Sequence, residues 1–381
     1  TKVAAKPGDN ELPTAVQAPS TSASAGELPQ ATPVAPAQLV KVRNDVFELE
    51  FSTQGAQWVA SRLLNFKDST VATKPVQLFE QSANRTYLGQ FGLVGGSTLP
   101  NHRSTFEWIK GPTELAPGQP KLDVQFKSVG QGVEVIYTYT LYPGKYQVDF
   151  KADVKNVGEQ AVSPNFYAQI TRDDKPLPDE SKFYSTFTGP AFYTPQSKYQ
   201  KVDFKSIEKG NADFVKETDA GWLAMIQHYF VSAIVPQAGA RSNYTRKLET
   251  GLYAAGSLAS LGAINPGQTV AYTAKLYSGP QDQHTLEALS PGLELVVDYG
   301  WLTVIAKPIY WLLEKIHGLV SNWGWSIILL TVLIKALFYP LAAASYKSMA
   351  KMRQVAPRMQ KLKEQYGDDK MGFQRAMMEM Y

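Results

Sequence analysis

One uninterrupted apolar run limits what this chain can fold into more than any other feature. Residues 325–344 read WSIILLTVLIKALFYPLAAA, with Lys335 as the one charged residue. The hydrocarbon core of a bilayer is about 30 Å thick, and a helix that rises about 1.5 Å per residue crosses it in about 20 residues. The run therefore predicts a transmembrane helix over residues 323–345. A fully buried helix of a soluble protein is the alternative, which the basic segment that follows disfavours.

Positive charge is concentrated directly after this run, in residues 346–381. The basic residues are Lys347, Lys351, Arg353, Arg358, Lys361, Lys363, Lys370 and Arg375, and they outnumber Glu364, Asp368, Asp369 and Glu379. Loops rich in Lys and Arg face the cytoplasm. We therefore expect a membrane protein with residues 346–381 in the cytoplasm and residues 39–300 on the other side of the bilayer, which is the periplasm if the cell has an outer membrane.

Lys335 lies near the middle of the run, about ten residues or roughly 15 Å from either interface. A lysine stem reaches the headgroups from there only with strain, and a lone ammonium in hydrocarbon costs at least ~2.5 kcal/mol. Thr331 and Tyr339 stand one helical turn on either side, so the three polar side chains share a face. This stripe predicts a hydrophilic substrate groove inside the membrane. A structural ion pair with an acidic residue of another span is the alternative.

Residues 39–280 alternate between apolar and polar side chains with a period of two. In residues 46–52 the sequence VFELEFS shows the alternation that strands with one face on a core display. The strand-like run 133–142 ends at Pro143-Gly144 and a second run follows, which predicts a hairpin. No alternation of strands with helices is present. The predicted fold class is mainly β, a large antiparallel β-sandwich, followed by an α-helical membrane segment.

Two segments flank the β region. Residues 1–38 are rich in Pro, Ala, Ser and Thr and contain few large apolar residues, which predicts a disordered tether. In residues 281–322 the period becomes helical. The apolar stripe consists of Ile309, Leu312, Leu313, Ile316 and Val320. This pattern predicts an amphipathic helix in the membrane interface, and a packed helix of the β domain is the alternative.

Residues 346–381 predict a cytoplasmic helical hairpin, with a turn at Gly367-Asp368-Asp369 and with Pro357 as a kink or break. The candidates for contacts with a nascent chain or a ribosomal partner are Met349, Lys351, Met352, Arg353, Arg358 and Met359. Methionine adapts to varied apolar partners. Positive charge on the cytoplasmic side, combined with an ordinary apolar packing stripe, explains the same residues and is the alternative.

The sequence lacks the residues of most catalytic sites. It has no cysteine, and its 4 histidines form no metal-ligand spacing. Asp173-Asp174 and Asp179-Glu180 lie in a Pro-containing loop, where we expect solvated turns rather than a catalytic carboxylate pair. The 38 basic and 34 acidic residues are too balanced to indicate a protein that reads a nucleic-acid sequence. We therefore predict no enzymatic activity, no catalytic residues, no cofactor and no bound metal.

Five short segments together resemble the YidC family of membrane protein insertases. They are GWLAMIQHYFVSAIVP (221–236), VDYGW (297–301), NWGWSIILLTVLIKALFYPL (322–341), SMAKMR (348–353) and GDDK (367–370). Each is weak alone, but their order and spacing are specific, and the similarity of pattern runs from about residue 39 to residue 381. Both ends of the chain look like cuts, so we expect a piece of a longer protein.

The resemblance implies a periplasmic β-supersandwich, an interfacial helix, the second of six membrane spans and a cytoplasmic hairpin. It also implies that the protein inserts and folds hydrophobic segments of nascent inner-membrane proteins through a positively charged groove. The implied partners are nascent membrane proteins, the Sec translocon, the ribosome and the phospholipid bilayer. Lys335 stands where the family usually has arginine, and Thr331 matches its threonine one turn earlier. Lysine keeps the charge but lacks the planar fork that binds a carboxylate through two hydrogen bonds.

Two other classes of protein fit parts of the sequence. A membrane-anchored carbohydrate-binding β-sandwich would need a cleft with an acid and a base beside stacked aromatic rings, and titration of the β domain with sugars would reveal it. A purely structural periplasmic scaffold would lose its activity on deletion of the β domain. An insertase would instead keep its essential groove in the membrane.

Overall fold

The computed structural model describes residues 37–378, except residues 70, 72, 97, 177–185, 250, 368–370, 373, 376 and 377. The predicted tether over residues 1–38 therefore lies almost entirely outside the described residues. The chain divides into two units, Thr1–Val297 and Asp298–Tyr381. The first unit contains the β-sheets, and the second contains the two long helices.

Two antiparallel sheets form the first unit and confirm the predicted β-sandwich. The first sheet has ten strands. In spatial order they are β1 (Leu39–Arg43), β2 (Phe47–Ser52), β3 (Gln57–Lys67), β6 (Thr86–Val94), β11 (Asn165–Asp173), β18 (Leu252–Ser260), β17 (Arg241–Glu249) and β14 (Glu217–Thr218), with β4 (Pro75–Gln77) beside β3 and β5 (Glu80–Gln81) beside β6.

The second sheet has nine strands. In spatial order they are β13 (Lys198–Lys201), β12 (Gly189–Thr194), β15 (Trp222–Gln227), β16 (Phe230–Pro236), β19 (Thr269–Pro280), β10 (Gln147–Asn156), β9 (Val133–Leu141), β8 (Leu122–Gly130) and β7 (Glu107–Ile109). β9 and β10 pair with Leu141 opposite Val148, so the predicted hairpin at Pro143-Gly144 is confirmed.

The core between the sheets is aromatic, and the alternating sequence pattern produces it. Every second residue of β9 is buried, because successive side chains of a strand point to opposite faces. Tyr139 of β9 lies 4.3 Å from Phe51 of β2 between ring centroids, and Phe150 of β10 stacks on Phe91 of β6 at 4.4 Å. These ring pairs join the two sheets, and large buried rings contribute much of a core's hydrophobic free energy.

A buried asparagine ties the predicted hairpin to the other sheet. The Asn44 side-chain amide donates to the carbonyls of Tyr142 at 2.8 Å and Lys145 at 3.0 Å. Its carbonyl oxygen accepts from the backbone amides of Val46 and Phe47. The side chain thus uses both donor hydrogens and its acceptor, as a buried amide must to avoid an unfavourable desolvation.

Two short helical segments cover the outer face of β12, β15 and β16. They are α2 (Gln283–Leu289) and a 3-10 helix (Leu293–Val296), and their leucine and valine side chains pack against Trp222 and its neighbours. The indole of Trp222 also donates to the carbonyl of Pro291 at 3.3 Å. The chain after β19 therefore belongs structurally to the first unit as far as Val297. The remaining short helix of this unit, α1 (Phe204–Glu208), contacts β17.

Tyr137 and Tyr139 form a matched pair for a test of buried hydroxyl groups. Both side chains are fully buried on β9, and burial raises the pKa of both phenols well above its usual value. The Tyr139 hydroxyl donates to the Ala56 carbonyl at 2.7 Å. Among the described residues, the Tyr137 hydroxyl has no hydrogen-bond partner.

We expect Tyr139→Phe to lower the free energy of unfolding by about 1–2 kcal/mol, because it leaves the Ala56 carbonyl buried without a donor. Tyr137→Phe should leave that free energy unchanged or raise it by up to about 1 kcal/mol, because it removes a desolvated hydroxyl. Urea unfolding of the detergent-solubilised chain, followed by tryptophan fluorescence, measures both. Equal losses in the two variants would contradict the assignment of the two hydroxyl groups.

Candidate functional site

The second unit is built around one long apolar helix. Helix α4 (Trp323–Tyr366) has 44 residues, and its Asn322 cap accepts a hydrogen bond from the backbone amide of Trp325 at 3.2 Å. Among the described residues, its segment Trp323–Arg353 is the one helix long and apolar enough to cross a membrane. Its 31 residues extend about 46 Å, which exceeds the thickness of a hydrocarbon core of about 30 Å.

Helix α3 (Thr303–Val320) precedes α4 and contacts it. The His317 ring stacks on Trp323 with 3.8 Å between ring centroids, across the two-residue turn that joins the helices. Ser326 and Leu330 are the two buried side chains of α4 within its described residues. Because burial is confined to the first two turns, α3 does not accompany α4 along its length, as a second transmembrane helix would.

The side chains of α3 divide into a half-buried set and an exposed set. Four of the five residues of the predicted stripe are half-buried, and the fifth, Ile309, is exposed. The exposed set contains Val304, which is 84% exposed, and Leu319, which is 88% exposed. Trp311 is also exposed, and the Lys315 ammonium lies 5.7 Å from its ring centroid. The exposed face of α3 is thus apolar with a lysine beside an indole.

The structure places Thr331, Lys335 and Tyr339 on one exposed face of α4. The Thr331 hydroxyl donates to the Ile327 carbonyl at 2.8 Å, so its hydrogen is already used within the helix. Tyr339 is 69% exposed, and the Lys335 side chain is exposed as well. The three side chains therefore form one exposed polar stripe on an otherwise apolar segment of α4.

The helix continues without a break through the predicted cytoplasmic segment. Pro357 lies inside α4, so it does not end the helix there. α4 ends at Tyr366, and Gly367 has a φ of +46°, a left-handed conformation that glycine adopts easily. Met371 and Gly372 are again helical, while much of the returning helix lies outside the described residues.

The predicted cytoplasmic contact residues lie along this part of α4. Met349, Lys351, Met352 and Arg353 are exposed, and Met359 is half-buried. Arg358 lies in the same helix, and the structure does not describe its side chain. Exposed methionines beside basic side chains form an apolar and positively charged surface.

The loop after β11 differs from the sequence-based expectation. Asp173 is buried and accepts from the backbone amides of Thr86 at 2.5 Å and Lys175 at 3.1 Å, so it braces the loop instead of forming a solvated turn. Asp174 is exposed, and Asp179-Glu180 lies outside the described residues. Within the described part of the chain, no group of acidic or histidine side chains could hold a metal ion.

A buried amide network crosses the face of the first sheet that points away from the core, and sequence reasoning missed it. Gln90 donates to Gln57 and accepts from Gln169, each at 2.7 Å. The Tyr244 hydroxyl donates to Gln169 at 2.8 Å, and Gln57 donates to the His102 carbonyl at 2.9 Å. These amides bond to the protein itself, so the network braces the sheet. Each of the three glutamines stands in a different strand, so no local pattern signals that they meet.

Comparison with known proteins identifies relatives of both units. The family model of the YidC periplasmic domain matches residues 39–312, and that of the 60Kd inner membrane protein matches residues 315–381. The membrane protein insertase YidC of Cupriavidus metallidurans is 48% identical over 370 residues, which is 96% of this chain and 66% of that protein. The YidC of Janthinobacterium sp. (strain Marseille) is 45% identical over 361 residues, which is 94% of this chain and 64% of that protein. The chain therefore spans less than two thirds of the length of these relatives.

One solved structure is weakly similar to part of this chain. The galactose mutarotase related enzyme of Lactobacillus acidophilus covers 63% of this chain and 97% of its own, at 8% sequence identity and a TM-score of 0.41. A likeness at this level carries no argument about ligands.

One family model matches most of the chain, a second matches residues 315–381, and the relatives are almost half identical to it. This inner-membrane chain therefore belongs to the YidC family.

Proposed function

We propose that the chain provides the periplasmic domain and one membrane helix of an insertase for hydrophobic segments of nascent inner-membrane proteins. The observation that carries the proposal is Lys335, a cation at the middle of the apolar run of α4, on an exposed face with Thr331 and Tyr339. An ammonium at this depth is stable only with water or polar protein groups around it. A hydrated groove meets that need, and its remaining walls would come from further helices of the full-length protein.

The proposed mechanism is physical, with neither a cofactor nor bond-making chemistry. A charged and hydrated groove accepts the polar tail of a substrate partway into the membrane, which shortens the low-dielectric path that the tail must cross. The apolar segment of the substrate then moves sideways into lipid, driven by the burial of its apolar surface. Lys335 attracts acidic tails and keeps the groove wet.

We extend the proposal to partners on the cytoplasmic side. Exposed Met349 and Met352 offer an adaptable apolar surface for an emerging nascent chain, and exposed Lys351 and Arg353 offer charge complementary to ribosomal RNA. Such contacts depend on charge and require no specific nucleic-acid sequence. Action beside the Sec translocon rests on the family resemblance and is part of the same proposal.

Helix α3 is proposed to lie in the periplasmic interface of the bilayer. Its end is joined through a two-residue turn to the start of α4, where Trp323 and Trp325 are exposed. Tryptophan is enriched at the level of the headgroups, which supports an interfacial position for this turn. The exposed apolar side chains of α3 then contact lipid, while Lys315 reaches toward phosphate groups.

The charge of Lys335 can be tested in the full-length protein. We expect Lys335→Glu to slow the insertion of substrates with acidic translocated tails about tenfold, because a difference of about 1.4 kcal/mol in attraction changes a rate tenfold. Lys335→Arg should stay close to the wild type, and Lys347→Glu, which changes the same charge beyond the apolar run, is the matched control. Protease protection of a tagged substrate in membrane vesicles measures insertion. Equal insertion by the Glu and Arg variants would rule out an electrostatic role.

The position of α3 can be tested with spin labels, because the chain has no cysteine to remove. A label at Leu319→Cys should collide mainly with oxygen dissolved in lipid, while a label at Lys307→Cys, on the neighbouring face, should collide mainly with a water-soluble nickel complex. Electron paramagnetic resonance of the protein in liposomes measures both collision rates. Two labels with the same aqueous accessibility would refute the interfacial position.

A further inference from the structure

A proline interrupts the hydrogen-bond ladder of α4 inside the apolar run. Pro340 lies within the helix, and a helical carbonyl accepts from the amide four residues later. Proline has no amide hydrogen, so the carbonyl of Ala336 lacks its helical donor. Ala336 follows Lys335 directly, so this acceptor stands at the middle of the apolar run, next to the cation.

The same helix shows how a side chain can satisfy a carbonyl, and this means is missing at Ala336. The hydroxyls of Ser326 and Thr331 donate to the carbonyls four residues earlier, Asn322 and Ile327, at 2.7 and 2.8 Å. The residues in the corresponding positions for Ala336 are Tyr339 and Pro340. A tyrosine hydroxyl sits at the far end of a rigid ring and does not fold back onto its own turn, and proline has no hydroxyl.

The residues around this carbonyl are exposed within the described part of the chain. Ala336 and Pro340 are exposed, Leu337 is 70% exposed, and Tyr339 is 69% exposed. A carbonyl left in hydrocarbon without a donor is strongly unfavourable, so it must be satisfied by a local rearrangement of the helix or by a donor from outside α4. A carbonyl acceptor, an ammonium and a phenol thus lie within about one helical turn of one another, at residues 336, 335 and 339.

We propose that the Ala336 carbonyl, exposed by Pro340, is a binding site for a hydrogen-bond donor, either water or a backbone amide of the inserting segment. The inference rests on the proposed insertase function. A segment that enters the membrane before its helix has formed carries unsatisfied backbone amides, and an acceptor at mid-depth lowers the cost of its passage. Lys335 contributes charge to the same site, and the carbonyl contributes an acceptor that a cation lacks.

Three substitutions in the full-length insertase separate the carbonyl from the bend that a proline causes. Pro340→Ala restores the helical amide. Tyr339→Ser keeps Pro340 and supplies a hydroxyl that can donate to the carbonyl three residues earlier, whereas Tyr339→Ala removes the same phenol without supplying one. Pro357→Ala makes the same change as Pro340→Ala in the part of α4 beyond the apolar run and is the matched control.

We expect Pro340→Ala to lower insertion of a single-span substrate with an acidic tail about fivefold, the effect of one lost hydrogen bond. Pro357→Ala should insert like the wild type, and Tyr339→Ser should insert less than Tyr339→Ala. The inference is overturned when Pro340→Ala inserts as well as Pro357→Ala, or when the two Tyr339 variants insert equally. The proposed function fails on a different result, namely wild-type insertion by Lys335→Glu.

Cysteine labelling, combined with the insertion assay, distinguishes the two donors. A cysteine at Ala336→Cys keeps the carbonyl, and a water-soluble maleimide reacts with it only where water is present. If water is the donor, Pro340→Ala in the Ala336→Cys background slows labelling severalfold. If the backbone amide of the substrate is the donor, the labelling rate stays constant while insertion falls. Fast and unchanged labelling together with unchanged insertion overturns the inference.

Discussion

A polar atom withdrawn from water needs a hydrogen-bond partner, and both units of this chain are arranged around that requirement. In the β unit, Asn44 and Gln90 find these partners within the protein itself. Asn44 makes four hydrogen bonds with the backbone, and Gln90 is held between Gln57 and Gln169. The membrane unit meets the requirement only in part, because its polar stripe lies on an exposed face of a single helix. The polar stripe of α4 therefore requires polar neighbours that lie outside this helix.

This contrast explains why the proposed function lies in the membrane unit. The β unit encloses an aromatic core, and its buried glutamine network hydrogen-bonds within the protein. Helix α4 instead presents an exposed cation and an exposed phenol, and in the proposed transmembrane position both lie at a depth where water is scarce. A helix of this kind is stable in a bilayer only when a hydrated space or polar neighbours adjoin it, and such a space is what a hydrophilic substrate tail needs.

Pro340 and Thr331 have opposite effects on the number of hydrogen-bonding groups of α4 that remain available to partners. Thr331 donates its hydroxyl hydrogen to the Ile327 carbonyl, so this hydrogen is not available to a partner outside the helix. Pro340 has no amide hydrogen, so the Ala336 carbonyl loses its usual helical donor although no polar side chain marks this position. The polar character of the stripe therefore cannot be read from residue types alone, because it depends on which hydrogen bonds the helix has already made.

The sequence by itself determined the elements whose cause is local. A period of two specifies a strand with one buried face, Pro143-Gly144 specifies a tight turn, and about twenty apolar residues specify a transmembrane helix. Only the tertiary structure decided the order of strands within each sheet, the bracing role of Asp173, and the glutamine network, whose members are separated by tens of residues in the chain. The physical reason is that strand pairing and buried hydrogen bonds depend on which distant segments meet, and a local pattern contains no information about that.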